Sequence, residues 1–331
     1  MSRPFARLKI ALISDELTLA CLMPECRVMP VTPWNAGLVL RLWRPDLLLV
    51  ETSWKGWLGS WKYKMAAYPD HPERNNNDLR RVVALAQRRG IRTAFWNRED
   101  GVHFDRFIES ARLFDQIFTV DENKVPCYRA ACGPEVPVEV LMFAAQPAIH
   151  FPKEEPLARR AAFAGSYSNV HPQRRAWQDQ VFEATSEIGL TVHDRNSHRS
   201  GEHYRFPQRP WIEVQERVPH RKTAGIYRRH LANINVNTIH DSQTAFSRRL
   251  VEILACGALA VTNPTPAVRA HFADYCCIVH NEEEARALFR RLARDGLSSQ
   301  QREMLRAGVA HVLQHHSWRH RLQQIVAAVG I

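Results

Sequence analysis

Hydrophobic residues follow two alternating patterns along the chain. Short unbroken apolar runs predict buried strands of the parallel type, because such strands are covered on both faces. Between them lie stretches with an apolar residue every three or four positions, which predicts helices. In the first half, the predicted strands are residues 8–14, 46–52, 91–96, 116–120 and 138–143, and the predicted helices are 33–43, 77–89 and 104–114. This alternation predicts a parallel sheet with helices on both faces.

The same pattern begins again after a proline-rich segment, residues 144–160. Predicted strands then lie at 161–167, 190–195, 231–237, 258–261 and 276–280, and predicted helices at 174–189, 224–230, 247–257 and 282–296. The predicted fold class is therefore α/β, with two facing doubly wound (Rossmann-like) domains. Their predicted ranges are 1–148 and 149–312, and a C-terminal helical segment, 313–331, could pack back on the first domain. Residues 196–219 fit neither pattern and are predicted to be an ordered loop or a functional insertion.

Charge and cysteine content limit the kinds of partner and the class of protein that the sequence fits. The net charge is +11, and arginine pairs scattered along the chain supply much of it. This favours an anionic partner such as a nucleotide, an acidic polymer or a membrane surface. Seven cysteines make an odd count, which argues against a disulfide framework, and the two C-x4-C pairs are a weak match to a zinc site. Without a long apolar run or a signal peptide, we expect a cytoplasmic protein that could associate with the inner face of a membrane.

The stretch SRRLVEILACGALAVTN, residues 247–263, predicts a helix and a following strand. Ser247 is a suitable N-cap, but Arg248 and Arg249 then occupy a helix N-terminus, where each cation is unfavourable by about 0.3–1 kcal/mol. A bound diphosphate would reverse that effect, and Glu252 one turn later could accept hydrogen bonds from a ribose. The alternative is an ordinary Arg248–Glu252 pair with Arg249 in solvent.

Two other segments could contribute to a donor site. Gly165 and Ser166 follow a predicted strand, and Arg174 lies near the start of the next helix, an arrangement typical of phosphate binding and equally of a tight turn. Asn235 and Asn237 end a predicted strand and could contact a sugar or a base, or form a turn.

Carboxylates follow three predicted strands of the first half. Asp15, Glu51 and Asp100 should meet at one edge of the sheet, where one of them could act as a general base. Asp100 is the preferred candidate. His103 is a rival, although a single histidine is more often a structural residue.

Several blocks in order along residues 8–265 resemble the CgeB-like (spore maturation protein CgeB) glycosyltransferases. They include FWNREDGVHFDRF, QIFTVDENKVPCYR, MFAAQPAIH, FAGSYSN, VHDR and LANINVNTIHDSQTAFSRRLVEILACG. The resemblance implies a GT-B fold, with the acceptor bound by the first domain and a nucleotide-sugar by the second. It also implies diphosphate near Gly165, ribose at Glu252 and no need for a metal or other cofactor. The E-x7-E donor motif is incomplete, because Thr244 stands where its first glutamate would be.

These observations predict a metal-independent glycosyltransferase. Its expected partners are a nucleotide-sugar donor and a glycan, protein or lipid-linked acceptor, with Ser247, Arg248 and Arg249 around the diphosphate. Two alternatives remain open: a basic nucleic-acid-binding protein, against which the dispersed arginines argue, and an inactive sugar- or nucleotide-binding module.

Overall fold

The computed structural model describes residues 4–167, 170–198, 201 and 204–331, and within them the chain divides into two units. The first unit consists of Met1–Met142 and Trp318–Ile331, and the second of Phe143–Ser317. The division thus falls at Met142 rather than after residue 148, and the last helix belongs to the first unit.

A six-stranded parallel sheet forms the centre of the first unit. Its strands are β1 (Lys9–Ile13), β2 (Arg27–Pro30), β3 (Leu47–Glu51), β4 (Arg92–Asn97), β5 (Gln116–Thr119) and β6 (Val138–Val140). They are arranged in the order β2-β1-β3-β4-β5-β6, and every neighbouring pair is parallel. Apolar runs predicted five of these strands. Strand β2 was not predicted, because an edge strand needs no continuous apolar run and this one is only partly buried.

Helices connect these strands and cover the sheet. They are α1 (Glu16–Leu22), α2 (Ala36–Leu38), α3 (Asn77–Gln87), α4 (Phe104–Ala111), α5 (Val125–Cys132) and α12 (Trp318–Val329). Helix α2 continues as a π-helix over Val39–Trp43, so the predicted helix 33–43 is present with an altered final turn. Buried side chains from the sheet and these helices form one hydrophobic core.

The second unit contains another six-stranded parallel sheet. Its strands are β7 (Ala158–Gly165), β8 (Leu190–Asp194), β9 (Ile212–Gln215), β10 (His230–Asn235), β11 (Ala260–Thr262) and β12 (Cys277–Ile278). The order is β12-β11-β10-β7-β8-β9. Strand β9 lies inside the segment 196–219 that was predicted as a loop or insertion. Residues 199, 200, 202 and 203 of that segment lie outside the described residues.

The helices of the second unit are α6 (Pro172–Ala184), α7 (Thr223–Arg229), α8 (Arg248–Ala255), α9 (Pro266–Phe272), α10 (Glu282–Asp295) and α11 (Ser299–His315). They enclose a separate hydrophobic core. Among the described residues, no helix is both long enough and apolar enough to cross a bilayer.

Candidate functional site

The opening turn of α8 lies close to the carboxyl end of β10. Ser247 has the extended backbone of an N-cap, and its N–H donates to Oδ1 of Asn237 at 2.8 Å. Leu250, Ile253 and Leu254 are fully buried, as their helical spacing predicts. The helix therefore rests on its apolar stripe, and its first turn carries the two arginines.

Arg249 is half-buried, and its guanidinium is bonded to the protein rather than free in solvent. Its Nε donates to the carbonyl oxygen of Ala164 at 2.8 Å, and its guanidinium lies over the ring of Phe163, 4.7 Å from the centroid. A Cβ atom on Gly165 would come within 2.6 Å of its Nη2, so only glycine leaves room for this arrangement. Burial lowers the pKa of Arg249, and its buried Nη1 has no hydrogen-bond partner among the described residues. The alternative that placed Arg249 in solvent is therefore wrong.

Two more arginines converge on the turn after β7. Nη2 of Arg174 donates to the carbonyl oxygen of Ser166 at 3.2 Å, and Nη2 of Arg195 donates to Oγ of Ser166 at 3.4 Å. Burial lowers the pKa of Arg174 to about 10, and the charges of Arg249 and Arg195 add to the effect. Three cations thus surround Gly165 and Ser166 and repel one another, an arrangement that an anion would stabilise.

Sequence reasoning did not single out Arg195. It follows β8 directly, and β8 pairs with β7, so the sheet brings it beside Ser166. Its position immediately after an apolar strand was the available signal, because the carboxyl ends of parallel strands share one edge.

Glu252 is almost fully buried and makes its contacts within the protein. His220 Nε2 lies 2.7 Å from Oε1, Arg248 Nε lies 3.1 Å from the same oxygen, and the Tyr227 hydroxyl lies 3.3 Å from Oε2. Burial by itself would raise the pKa of Glu252, but His150, His220 and Arg248 together lower it, and the carboxylate is ionised. The Arg248–Glu252 pair considered from the sequence is present. A ribose would have to displace one of these partners, so this arrangement does not support the predicted ribose contact.

His150, His220 and Glu252 are near enough to be considered as metal ligands. One ligand atom from each lies within 4.8 Å of the others. The hydroxyl of Thr223 donates to the carbonyl oxygen of His220, so it must accept from Nε2 of His150, 3.1 Å away. That contact places a proton on the nitrogen nearest Glu252. The three residues therefore fit a hydrogen-bond cluster better than a metal site.

Asn235 and Asn237 are buried and bond to their surroundings. Both side-chain amides donate to Oγ1 of Thr262, and Asn237 also bonds to the side chain of Asn263. They connect β10 with β11 and position the N–H of Ser247. These contacts favour the structural alternative over the predicted sugar or base contact, because both side chains lie inside the unit.

In the first unit, β1, β3 and β4 bring Asp15 and Glu51 together around one arginine. Arg98 forms ion pairs with both, the one to Glu51 at 2.6 Å. Glu51 is fully buried, whereas Asp15 is partly exposed and also accepts a hydrogen bond from Ser53. These contacts confirm that the two carboxylates share one sheet edge, and Asp15 is the one that a substrate could reach.

Asp100 and His103 make their contacts with other residues. Asp100 is buried and accepts hydrogen bonds from Asn97 and from the hydroxyl of Tyr128. Burial raises the pKa of Asp100 to about 7. His103 precedes α4 and packs edge-on against Trp54, with ring centroids 5.2 Å apart, and burial lowers its pKa. These contacts favour structural roles for both residues and weigh against Asp100 as the preferred base, since its oxygens are already bonded inside the core.

Comparison with known proteins adds family-level information. Residues 173–327 match a family model described as glycosyl transferase-like. A search of curated proteins finds no match to the chain. Among solved structures, Anabaena HepE in complex with UDP-glucose is similar, with a TM-score of 0.61 at 12% identity over 98% of this chain and 100% of that one.

Two other enzymes show the same similarity of fold. The DNA-modifying β-glucosyltransferase has a TM-score of 0.61 at 12% identity, covering 98% of this chain and 100% of that one. Sucrose-phosphate synthase from Thermosynechococcus elongatus has a TM-score of 0.56 at 11% identity, covering 96% and 97%. The two parallel-sheet α/β units described above match the GT-B architecture. The chain therefore has the fold of the GT-B glycosyltransferases, and residues 173–327 resemble a glycosyl transferase-like family.

Proposed function

We propose that the protein transfers a sugar from a UDP-sugar to an acceptor hydroxyl. The observation that carries this proposal is the group of three guanidinium ions, from Arg174, Arg195 and Arg249, around Gly165 and Ser166. A dianionic or trianionic group would bind them at the carboxyl end of β7, where doubly wound sheets bind ligands. The UDP and UDP-glucose present in the HepE structures support a uridine nucleotide as the donor.

The same arginines have a role in the transfer step. Negative charge develops on the leaving diphosphate as its bond to the sugar breaks, and fixed cations stabilise that charge. Arg249 is already held in place by Ala164 and Phe163, so little reorganisation is needed when the charge forms. Because the three arginines supply the positive charge, we propose that no metal ion is required.

Glu252 acts in this scheme as a positioning residue. Its ionised carboxylate holds Arg248 and His220 through the contacts at 3.1 and 2.7 Å. Arg248 would then approach the diphosphate from the opening turn of α8, with Glu252 fixing its orientation. The ribose contact of Glu252 suggested by the family resemblance is not part of the proposal.

Asp15 is the proposed general base in the first unit, for a transfer that inverts the sugar. Its side chain is partly exposed, and Ser53 and Arg98 fix its orientation. A carboxylate in this position could accept the proton of an acceptor hydroxyl as the new bond forms. The acceptor could be a glycan, a protein or a lipid-linked molecule.

Isothermal titration tests the donor site. UDP, GDP, dTDP and CMP, and their sugar conjugates, would be titrated into the full chain, with Arg80→Ala on the exposed face of α3 as the matched control. We expect UDP compounds to bind and Arg249→Ala to weaken that binding by about 10- to 100-fold, since a charge-assisted contact contributes about 1.5–3 kcal/mol. Equal affinity of Arg249→Ala and Arg80→Ala for UDP would overturn the assignment.

Activity is measured separately, as UDP released from each UDP-sugar in the presence of candidate acceptors. We expect release to persist in EDTA. Loss of release in EDTA, with recovery on adding a divalent cation, would remove the metal-independent part of the proposal. Binding without any release would favour the inactive sugar-binding module, and steeply salt-dependent retention on DNA without UDP binding would favour a nucleic-acid-binding protein.

A further inference from the structure

The helix that begins after β2 presents large apolar side chains to solvent. It comprises α2 and the π-helix Val39–Trp43, and the turn before α2 has helix-like hydrogen bonds, from Ala36 N–H to Thr32 O and from Val39 N–H to Asn35 O. Trp34, Leu38 and Leu42 follow at intervals of four, so they lie along one face, and they are 80%, 64% and 74% exposed. Another face of the same helix is buried in the core. The helix is thus apolar on its exposed side as well as on its buried side, which is unusual for a surface helix.

A further exposed apolar residue, Leu58, lies in the loop after β3. Leu58 is 72% exposed and has a left-handed backbone, with φ of 53°. The loop is anchored by Trp61, which is fully buried and donates its indole N–H to the carbonyl oxygen of Val31 at 2.7 Å. That bond places the loop beside the start of the helix, and the strained conformation at Leu58 is held by this anchor.

The two segments that carry these apolar residues contain basic but no acidic side chains, although Lys64 in the second segment is paired with Asp78 of α3. Residues 31–45 and 52–64 contain no aspartate or glutamate, whereas Arg41, Lys55 and Lys62 are exposed. Exposed tryptophan and leucine with neighbouring Lys and Arg match the two components of interfacial membrane binding, which are insertion of apolar side chains and attraction to anionic lipid. We define the apolar–basic face as the residues Trp34, Leu38, Leu42, Leu58, Arg41, Lys55 and Lys62.

One end of the apolar–basic face lies at the sheet edge of the candidate acceptor site. Its helix starts at the carboxyl end of β2 and its loop at the carboxyl end of β3, and Asp15 follows β1 at the same edge. Ser53, at the start of the loop, bonds both to Asp15 and to the N–H of Gly56. The starts of the helix and of the loop, with Trp34 and Lys55, therefore lie at the sheet edge that carries the proposed general base.

We propose that the apolar–basic face docks the protein on an anionic lipid bilayer. Trp34 and the three leucines enter the boundary between head groups and acyl chains, while Arg41, Lys55 and Lys62 contact anionic head groups. Docking itself does not depend on catalysis. Its consequence, delivery of a lipid-borne acceptor hydroxyl to Asp15, rests on the proposed function.

The test is co-sedimentation of the full chain with vesicles of phosphatidylcholine alone or mixed with phosphatidylglycerol. We expect binding to the mixed vesicles, weakened by salt, and little binding to phosphatidylcholine alone. Combined Trp34→Ser, Leu38→Ser and Leu42→Ser should weaken binding by at least about tenfold, because each removes apolar surface that would leave water. The matched control replaces two exposed apolar residues of the second unit, Val214→Ser and Leu313→Ser, and should bind as the wild type does.

A charge variant gives an independent measurement that leaves the apolar side chains intact. Arg41→Gln, Lys55→Gln and Lys62→Gln together should reduce binding to the mixed vesicles, whereas Arg80→Gln, Arg88→Gln and Arg89→Gln on α3 and its C-terminal end should not. The proposal fails if the wild type does not sediment with mixed vesicles, or if both controls lose as much binding as the face variants. It also fails if the wild type is a dimer that does not bind vesicles and the serine variant is a monomer, since the face would then be an interface between two copies. UDP binding by the serine variant distinguishes these outcomes from failure of the proposed transferase function.

Discussion

Replacing Arg174 with glutamine should raise the stability of the nucleotide-free protein and lower its affinity for UDP. Arg174 lies in the first turn of α6, where the helix dipole already disfavours a cation, and it faces Arg249 and Arg195. Glutamine removes the charge but could still donate to the carbonyl oxygen of Ser166. The variant therefore isolates the electrostatic contribution of the guanidinium.

The magnitude follows from the pKa of Arg174, which falls from 12.5 to about 10. One pKa unit corresponds to about 1.4 kcal/mol, so the folded state disfavours this charge by about 3 kcal/mol at neutral pH. Partial solvent screening and a weaker hydrogen bond offset much of that value, leaving an expected gain of about 1 kcal/mol, or about 2–4 °C in Tm.

UDP should reverse the order of stability. At a concentration 100 times the wild-type Kd, UDP stabilises the wild type by about 2.7 kcal/mol. If Arg174→Gln binds UDP about 10- to 100-fold more weakly, the same concentration stabilises the variant by only about 0.4–1.4 kcal/mol. The variant should melt above the wild type without UDP and below it with UDP.

Differential scanning fluorimetry with and without UDP measures both effects, with Arg80→Gln on α3 as the control for loss of one exposed arginine. We expect the control to lie within about 0.5 kcal/mol of the wild type in both conditions. A clear fall in the Tm of Arg174→Gln without UDP would refute the electrostatic argument. An unchanged UDP shift would refute the place of Arg174 in the donor site.

Three further predictions concern single residues. Gly165→Ala places a Cβ 2.6 Å from Nη2 of Arg249 and should therefore displace that side chain. We expect UDP binding, measured by titration, to weaken at least about tenfold, and stability, measured by denaturation, to fall by about 1–3 kcal/mol. Unchanged affinity for UDP would contradict this prediction. Asp15→Asn should lower kcat by about 100-fold or more and leave the donor KM unaltered, and a normal kcat would exclude Asp15 as the base. Burial lowers the pKa of His150 from 6.5 to about 4, although the charge of Glu252 acts in the opposite direction. The neutral form of His150 is therefore the one compatible with the fold, and its contribution to stability is complete above pH 6.5. This contribution, up to about 3 kcal/mol, is lost as the pH falls to 4. Thermal melts across this range should fall less steeply for His150→Gln than for the wild type, and equal slopes would contradict the assignment.

Much of the fold could be predicted from the chain alone, because parallel strands buried on both faces require continuous apolar runs. Residues 46–52 and 91–96 are clear examples, and both form central strands. The edge strands β2 and β9 were missed, since a strand with one free edge and partial exposure lacks that pattern. Apolar residues at helical spacing likewise predicted the buried stripe of α8. That spacing also assigned Leu38 and Leu42 to a helix, but it could not show that both side chains are exposed.

The candidate site was predictable at the level of residue type and position along the chain. Arginines at a helix N-terminus and carboxylates after strands indicated an anion site and a sheet-edge site before any contact was known. Which of these residues are accessible depended on distances between elements far apart in the chain. Arg249 reaches Ala164 across 85 positions, and Arg98 reaches Asp15 across 83. The sequence by itself therefore determined the two α/β units and the chemistry available at their strand ends. Only the tertiary structure decided that Arg195 lies beside Ser166, that Glu252 and Asp100 are bonded inside the protein, and that Asp15 remains accessible, because burial and hydrogen bonding are properties of the packed chain.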